Sequence, residues 1–201
     1  IINLKTGKIT KAEALLRWNH PEEGFISPSA FIPIAEESGL IISIGDKVLE
    51  DTLLFLKRLQ NIDPNFQVSI NKSPIQFSSQ DDKWMNIISE GEQHNKLLVV
   101  EITEGLLLES SSQVQSKLQA MFASGLEVAL DDFGTGYSSL AYLKKFNISY
   151  IKIDQSFVQN LDFGNEDHTL CVAMITMAHS LGIKVIAEGI ETDLQRKLLM
   201  K

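Results

Sequence analysis

The sequence predicts an α/β fold of parallel strands and helices, arranged as a (β/α)8 TIM-like barrel. Short apolar runs, typical of buried parallel strands, alternate with helical segments in units of about 25–40 residues. Acidic or amide residues stand where nearly every apolar run ends. Parallel folds carry their chemistry at the carboxyl ends of the strands, so the pattern also predicts a site there. An open parallel sheet gives similar local patterns and remains an alternative on these grounds.

Composition narrows the class of protein. The chain has 201 residues, of which 44% are hydrophobic and 22% charged, as in an ordinary globular domain. Its net charge of -8 argues against a polymeric nucleic-acid ligand. Cys171 is the single cysteine, so an internal disulfide and a thiolate zinc cluster are excluded, and we expect it in the core. The apolar runs are too short to span a bilayer. Because the chain starts abruptly and stops within a helical pattern, we expect a piece of a longer protein.

The first elements are a hairpin and a strand. A turn at residues 5–8, with Gly7 as its permissive residue, joins predicted strands at 1–4 and 9–16. Glu13 and Arg17 lie two steps either side of Leu15 and therefore share one face of the second strand. On this local pattern alone, exposure of that face to solvent is the simpler interpretation.

The remaining elements alternate. Strands are predicted at residues 67–70, 97–102, 127–130, 150–153 and 184–187, and helices at 28–36, 45–59, 82–90, 112–123 and 166–181. Leu140, Leu143 and Phe146 recur at helical spacing after the Asp131-Asp132 pair, which we place in a loop. In the last predicted helix, Leu170, Met174, Met177 and Leu181 lie on one face, and Gly182 ends the helix.

Residues with oxygen ligands lie at or near the ends of six predicted strands, namely Glu13, Asn71, Glu101, Asp131, Asp154 and Glu188. Each alone is more often a turn or helix cap, but in a barrel they would surround one opening. Such a ring of carboxylates needs positive charge. Arg17 and Lys152 supply part of it, and the adjacent carboxylates of Asp131 and Asp132 repel each other unless a cation or a shared proton intervenes. Oxygen donors without histidine or thiolate suit Mg²⁺ or Mn²⁺.

Sequence motifs for other kinds of catalytic site are not found in this chain. The four histidines do not converge on a metal-ligand spacing. A complete phosphate-binding loop and a Gly-x-Ser-x-Gly nucleophile elbow are both missing from the sequence.

Six motifs, in order along the chain, resemble the signature set of the EAL domain family, which hydrolyses the bacterial second messenger cyclic di-GMP. They occupy residues 13–18, 69–71, 101–104, 131–136, 152–154 and 188–191. The resemblance implies that residues 1–201 form a single EAL-type domain, a barrel whose first strand is antiparallel to the rest. It also implies that the chain is incomplete at both termini, with seven strands and an open seam. Lys72, Pro74 and Gly105 depart from the family pattern, and Lys72 adds a charge beside Asn71.

The resemblance also implies roles for individual residues. Glu13, Asn71, Glu101 and Asp131 would hold one metal ion, with Asp131 bridging to a second ion held by Asp132. Lys152 would position the attacking water and Glu188 would act as the general base. Leu15, Arg17, Asp154 and Glu191 would contact the substrate, and Glu104 would anchor the loop after Asp132.

These roles imply hydrolysis of cyclic di-GMP to linear pGpG, with two Mg²⁺ or Mn²⁺ ions as cofactors. A non-catalytic cyclic di-GMP receptor is the alternative, although a receptor has no chemical need for Lys152 or Glu188. Another two-metal barrel hydrolase with a different phosphoester is a more remote third reading. We further expect a homodimer, an attached sensor or GGDEF-type domain, and a cytoplasmic domain that makes no membrane contact itself. A membrane anchor elsewhere in the full-length protein is left open.

Overall fold

The computed structural model describes residues 1–79, 83–90, 95–108, 111–136 and 140–200. The chain forms two compact units. We call them the amino-terminal unit, residues Lys11–Val100 and Ser111–Leu126, and the carboxyl-terminal unit, residues Ile1–Thr10, Glu101–Ser110 and Glu127–Lys201.

Strands and helices alternate along the described chain. The strands are β1 Lys11–Ala14, β2 Trp18–His20, β3 Gly24–Ile26, β4 Gln67–Asn71, β5 Leu98–Thr103, β6 Glu127–Phe133, β7 Tyr150–Ile153 and β8 Lys184–Ala187. The helices are α1 Pro28–Glu37, α2 Leu40–Leu59, α3 Pro74–Ser78, α4 Lys83–Glu90, α5 Glu104–Leu108, α6 Ser112–Ala123, α7 Leu140–Lys145, α8 Gln155–Gln159, α9 Glu166–Ser180 and α10 Asp193–Leu199. A short 3₁₀ helix at Asn95–Leu97 precedes β5.

Six strands form one sheet in the order β1-β4-β5-β6-β7-β8, while β2 and β3 form a separate antiparallel hairpin. The α/β class is therefore confirmed, and β6, β7 and β8 pair in parallel as predicted. The antiparallel first strand is wrong, because β1 pairs in parallel with β4, with Glu13 opposite Ser69. Parallel strands need a crossover connection, and the long segment between β1 and β4 supplies it.

The hairpin predicted before β1 is present but stays outside the sheet. Ile2 and Ile9 form an isolated antiparallel bridge, and the Gly7 amide donates a hydrogen bond to the Asn3 carbonyl at 2.8 Å. Gly7 has a φ of +71°, which favours glycine. The expected strand at residues 1–4 is thus only a bridge, because the turn consumes its backbone hydrogen bonds, and six strands rather than seven enter the sheet in the described residues.

In the amino-terminal unit, α2 begins at Leu40, earlier than the predicted start at residue 45. Gly39, with a φ of +74°, precedes it and separates it from α1. Gly45 lies inside the helix, where a β-carbon would overlap the side-chain amide of Gln76. This glycine therefore permits close packing of α2 against α3 and does not mark a helix end.

In the carboxyl-terminal unit, a cluster of buried side chains packs around the end of β7. It comprises Ile153, Val158, Leu161, Cys171 and Leu198. Cys171 is a buried free thiol, as predicted, and burial raises its pKa to about 11. A thiol with so high a pKa is a weak nucleophile at neutral pH.

The apolar face predicted for α9 is partly buried: Met174 packs against the cluster, whereas the two ends of the face are exposed. Leu170 and Leu181 are both 41% exposed, whereas Cys171 and Ala178 are the fully buried residues of this part of the chain. Apolar side chains lie on more than one side of α9, since Val172 is also exposed. Hydrophobic periodicity alone therefore could not select the face that packs.

Strand β6 continues past the predicted end at residue 130, so Asp131 and Asp132 lie within it. The pairing with β7 shifts register between Leu130 and Phe133, and Asp132 has a φ of +52°. Phe133 then pairs with Ile153 and is buried. The two aspartates therefore occupy a bulge that re-aims side chains at the end of the strand.

Candidate active site

Lys152 on β7 is the centre of a charged cluster in the carboxyl-terminal unit. Its Nζ lies 2.7 Å from Glu101 Oε2, 2.9 Å from Asp131 Oδ1 and 2.8 Å from Glu188 Oε1. The carboxylates come from β5, β6 and the residue directly after β8. An ammonium group has three donor hydrogens, so these contacts match its full capacity.

Burial and charge act in opposite directions on Lys152, whose side chain is only 2% exposed. Burial acts to lower its pKa, but the negative charge of Glu101 and the hydrogen bonds to Glu101, Glu188 and Asp131 outweigh it and raise the pKa above its ordinary value. Lys152 is therefore a fixed positive charge and does not act as a base at neutral pH.

Asp131, Asp132 and Glu188 form a group of acidic oxygens suited to a cation. One ligand atom from each lies within 4.8 Å of the others. Burial raises the pKa of Asp132, and the charges of Asp131 and Asp154 raise it further. Asp131, Asp132 and Glu188 together therefore carry more negative charge than the single positive charge of Lys152 offsets. An all-oxygen donor set with excess negative charge fits a hard divalent cation.

Glu104 is the first residue of α5 and contacts the segment that follows β6. Its Oε1 accepts a hydrogen bond from the Gly134 amide at 2.9 Å. A β-carbon on Gly136 would lie 2.6 Å from Glu104 Oε2, so the backbone there passes directly over the carboxylate. Residues 137–139, the rest of the loop for which we predict anchoring, lie outside the described residues.

Asp154 follows β7 and caps α8. Its Oδ1 accepts a hydrogen bond from the Ser156 amide at 3.0 Å, and hydrogen bonds from Ser156 lower its pKa. Glu191 lies in the exposed segment after β8, where its amide donates to Gln195 Oε1 at 2.8 Å. Hydrogen bonds therefore fix the backbone at or beside both predicted substrate residues of this unit, Asp154 and Glu191.

In the amino-terminal unit, two predicted ligands contact each other. Asn71 Nδ2 donates a hydrogen bond to Glu13 Oε1 at 2.7 Å. Leu15 and Arg17 are exposed, and Arg17 Nη1 donates to the Leu16 carbonyl at 2.7 Å. The strand ends at Ala14, so the prediction that Glu13 and Arg17 share one strand face is wrong. Without a pairing partner beyond Ala14, the alternation of a strand does not extend to Arg17.

Lys72 is buried in an aromatic environment, with its Nζ 3.7 Å from the ring centroid of Trp84 and 5.1 Å from that of Phe77. The extra charge predicted beside Asn71 therefore points to these rings, in a cation–π arrangement.

Gln195 is a buried residue that the sequence analysis missed. It forms a capping box at the start of α10, in which the side chain of Thr192 accepts from the Gln195 amide. The pattern Thr-x-x-Gln before a helix is a recognisable signal for such a box and was present in the sequence.

Among the described residues, none of the helices combines the length and the apolar character needed to cross a membrane.

The fold and the cluster define a class: an α/β protein that gathers carboxylates and one buried lysine at the carboxyl ends of parallel strands. The chain belongs to the EAL domain family, whose model matches residues 1–201. The resemblance stated from the motifs is confirmed.

Several known proteins are similar to this chain. It is 34% identical over 198 residues to the bifunctional diguanylate cyclase/cyclic di-GMP phosphodiesterase MucR of Pseudomonas aeruginosa, covering 97% of this chain and 29% of MucR. It is 36% identical over 197 residues to the cyclic di-GMP phosphodiesterase PdeR of Escherichia coli, covering 97% of this chain and 30% of PdeR. The chain thus spans about a third or less of the length of these relatives.

Solved structures are similar too. The MucR phosphodiesterase in complex with c-di-GMP matches with a TM-score of 0.84 at 34% identity, over 94% of this chain and 77% of that one. The EAL enzyme Bd1971, bound to cAMP and cyclic di-GMP, matches with a TM-score of 0.90 at 34% identity, over 99% of this chain and 56% of that one.

Proposed function

We propose that this chain is a metal-dependent cyclic di-GMP phosphodiesterase that opens its substrate to linear pGpG. The observation that carries the proposal is the cluster around Lys152, which brings Glu101, Asp131 and Glu188 within hydrogen-bonding distance of one ammonium group. MucR and PdeR, which share about a third of its residues, are named for this activity.

Divalent cations are part of the proposal. Glu101, Asp131 and Asp132 would hold Mg²⁺ or Mn²⁺ in the carboxyl-terminal unit, while Glu13 and Asn71 remain predicted ligands from the resemblance. When bound, two such ions would lower the pKa of a water molecule and stabilise negative charge on a phosphodiester. These residues suit a metal site because the cluster contains more carboxylates than positively charged side chains.

Lys152 orients the site. It holds three carboxylates through its three hydrogens and keeps a positive charge where an anionic phosphodiester would bind. Because it is buried and strongly paired, this charge is preorganised before substrate arrives.

Glu188 is suited to accept a proton. Its side chain is 30% exposed, whereas that of Glu101 is fully buried against Lys152. A general base must reach the attacking water and later return its proton to solvent, which Glu188 can do and Glu101 cannot. Leu15, Arg17, Asp154 and Glu191 are proposed to contact the nucleotide.

The finer architecture is part of the same proposal. We propose that the six-stranded sheet belongs to a (β/α)8 barrel. We also propose a homodimer, a covalently attached GGDEF-type or sensor domain, as the bifunctional name of MucR suggests for that protein, and a cytoplasmic site of action.

The test is to incubate the intact protein with cyclic di-GMP and Mg²⁺ and to separate the nucleotides by chromatography. We expect the linear dinucleotide to accumulate and excess chelator to stop it. Nucleotide that binds in equilibrium dialysis but is recovered unchanged would identify a receptor instead. Turnover that continues undiminished in chelator would contradict the metal-dependent mechanism.

A further inference from the structure

Gln195 connects the segment that carries Glu188 to the helix that follows Asp154. Its side chain is buried, and its Oε1 accepts hydrogen bonds from the amides of Glu191 and Thr192, both at 2.8 Å. Its Nε2 donates to the carbonyls of Val158, at 3.0 Å, and Gln159, at 3.3 Å. One amide group therefore joins two separate stretches of backbone through four hydrogen bonds.

This arrangement exceeds what a helix cap requires. A capping box needs only the acceptor oxygen of the third residue, turned back to the amide of the capping residue. The donors that Gln195 turns towards Val158 and Gln159 contribute nothing to that cap. They satisfy carbonyls at the end of α8, the short helix whose first turn is capped by Asp154.

The same segment touches α8 at a second place. Gly189 has a φ of +70°, and a β-carbon there would lie 2.9 Å from Gln155 Cβ. The preceding amide, that of Glu188, donates to the Ile153 carbonyl at 3.1 Å. Residues 188–192 are thus held against the start of α8 by close packing and against its end by Gln195.

We propose that Gln195 is a positioning residue for Glu188, an inference that rests on the proposed function. With both ends of its buried amide bonded, Gln195 holds residues 188–192 at one distance from α8. Glu188 Oε1 reaches Lys152 at 2.8 Å from the beginning of this segment. Loosening the segment would displace the carboxylate from the attacking water, and displacements of about 1 Å can cost up to about 100-fold in rate.

Two variants distinguish the helix-capping role of Gln195 from its link to α8. Gln195→Glu keeps an acceptor for Glu191 and Thr192 but loses both donors and turns oxygen towards two carbonyls. Gln195→Met loses all four side-chain hydrogen bonds at similar size and keeps the backbone hydrogen bond to Thr192. We expect both variants to lower kcat by about 10-fold to 100-fold and also to raise KM, because Glu191, a proposed substrate contact, lies in the same segment.

Asn95→Leu is the matched control. Asn95 is also a buried amide, and its Nδ2 donates to the carbonyls of Ile88 and Ser124 in the amino-terminal unit. We expect this variant to lose thermal stability similarly while kcat stays within about 2-fold of wild type. If Gln195→Glu retains the wild-type kcat, or if Asn95→Leu loses as much as the Gln195 variants, Gln195 has only a structural role and the inference is overturned.

A measurement on the metal-free, nucleotide-free protein makes the result independent of turnover. The Glu188 amide is bonded to Ile153 and not to Gln195, so its hydrogen exchange reports order transmitted along the segment. We expect NMR-detected exchange at Glu188 to be faster in Gln195→Met than in Asn95→Leu. Faster exchange in a protein whose wild type leaves cyclic di-GMP intact would support the positioning and reject the proposed function. Equal exchange in the two variants would overturn the positioning itself.

Discussion

Glu101, Asp131 and Glu188 share one lysine but differ in their access to solvent. The side chain of Glu101 is fully buried, that of Asp131 is 16% exposed and that of Glu188 is 30% exposed. A carboxylate with no solvent-exposed surface has no direct path by which to pass a proton to water. We therefore propose that Glu101 holds charge in the site and that Glu188 is the residue that accepts the proton.

Glu188→Gln should bind cyclic di-GMP but hydrolyse it at least about 100-fold more slowly, the scale of losing general-base help. Glutamine keeps the size of the side chain and an oxygen for Lys152 but cannot accept the proton of the attacking water. Steady-state kinetics and equilibrium binding, on a variant shown to be folded by circular dichroism, measure the two effects. A full wild-type rate would show that another group is the base.

At the scale of elements, the end of β6 and the start of α5 depend on each other. Glu104 accepts from the Gly134 amide, and Asp132 lies two residues before that amide in the bulged part of β6. A carboxylate that accepts a backbone amide makes a strong, charge-assisted hydrogen bond. We therefore propose that Glu104 controls where Asp132 sits.

Glu104→Ala should lower turnover and raise the Mg²⁺ concentration that half-maximal activity requires, while the fold survives. Turnover should recover only in part at saturating Mg²⁺, because mass action does not restore the position of Asp132. Glu104→Gln, which keeps an acceptor for Gly134, is the matched control and should lose less. Wild-type metal dependence in folded Glu104→Ala would leave Glu104 a structural role alone, through its hydrogen bond to Gly134 and its charge in the first turn of α5.

A second network joins β6, β7 and β8 through side chains. The Tyr150 hydroxyl donates to Glu127 Oε2 at 2.8 Å, and Lys184 Nζ donates to the Tyr150 oxygen at 2.9 Å and to Glu127 Oε1 at 2.9 Å. Burial, together with the hydrogen bond and negative charge of Glu127, raises the pKa of Tyr150 to about 12. The folded state therefore holds the phenolic proton more tightly than the unfolded chain does.

The contribution of Tyr150 to the free energy of unfolding should be complete below about pH 10, the ordinary tyrosine pKa, and lost as the pH rises towards about 12. Urea unfolding at several alkaline pH values measures the decline. Tyr150→Phe, which has no proton to lose, should decline less steeply over that interval. Parallel curves for the two proteins would show that Tyr150 does not titrate differently on folding.

At the scale of the whole molecule, net charge and the acidic cluster make cation binding a source of stability. The chain carries a net charge of -8, and Asp131, Asp132 and Glu188 concentrate negative charge at one place. A cation that binds only the folded state stabilises it by about 2.7 kcal/mol at a concentration 100 times its Kd.

Mg²⁺ or Mn²⁺ should therefore raise the Tm, and excess chelator should reverse the increase. Asp132→Asn should show a smaller increase, because one charged ligand is lost, with Asp162→Asn as a control at an exposed acidic residue. Ca²⁺ should not support turnover, since it is larger and takes looser coordination. An unchanged Tm in saturating Mg²⁺ would contradict the proposed metal site.

Regular elements were predictable where local pattern and tertiary context agree. Strands β7 and β8 and helix α6 have the predicted bounds, because apolar runs and a polar helix start specify them locally. Helices α3 and α8 were missed because they have only 5 residues each, too few for a helical period to be recognised.

The sequence by itself determined the α/β class, the family and the residues that stand at the strand ends, because strand periodicity and motif order are local properties. Tertiary structure alone decided that Glu101, Asp131 and Glu188 share Lys152, because these residues are separated by long stretches of chain and meet only when β5 to β8 are in place. It also decided that Asp131 and Asp132 belong to a bulged strand and that β1 is parallel to β4. Both depend on pairing between distant strands, and a hydrogen-bond ladder is a property of two strands that neither encodes alone.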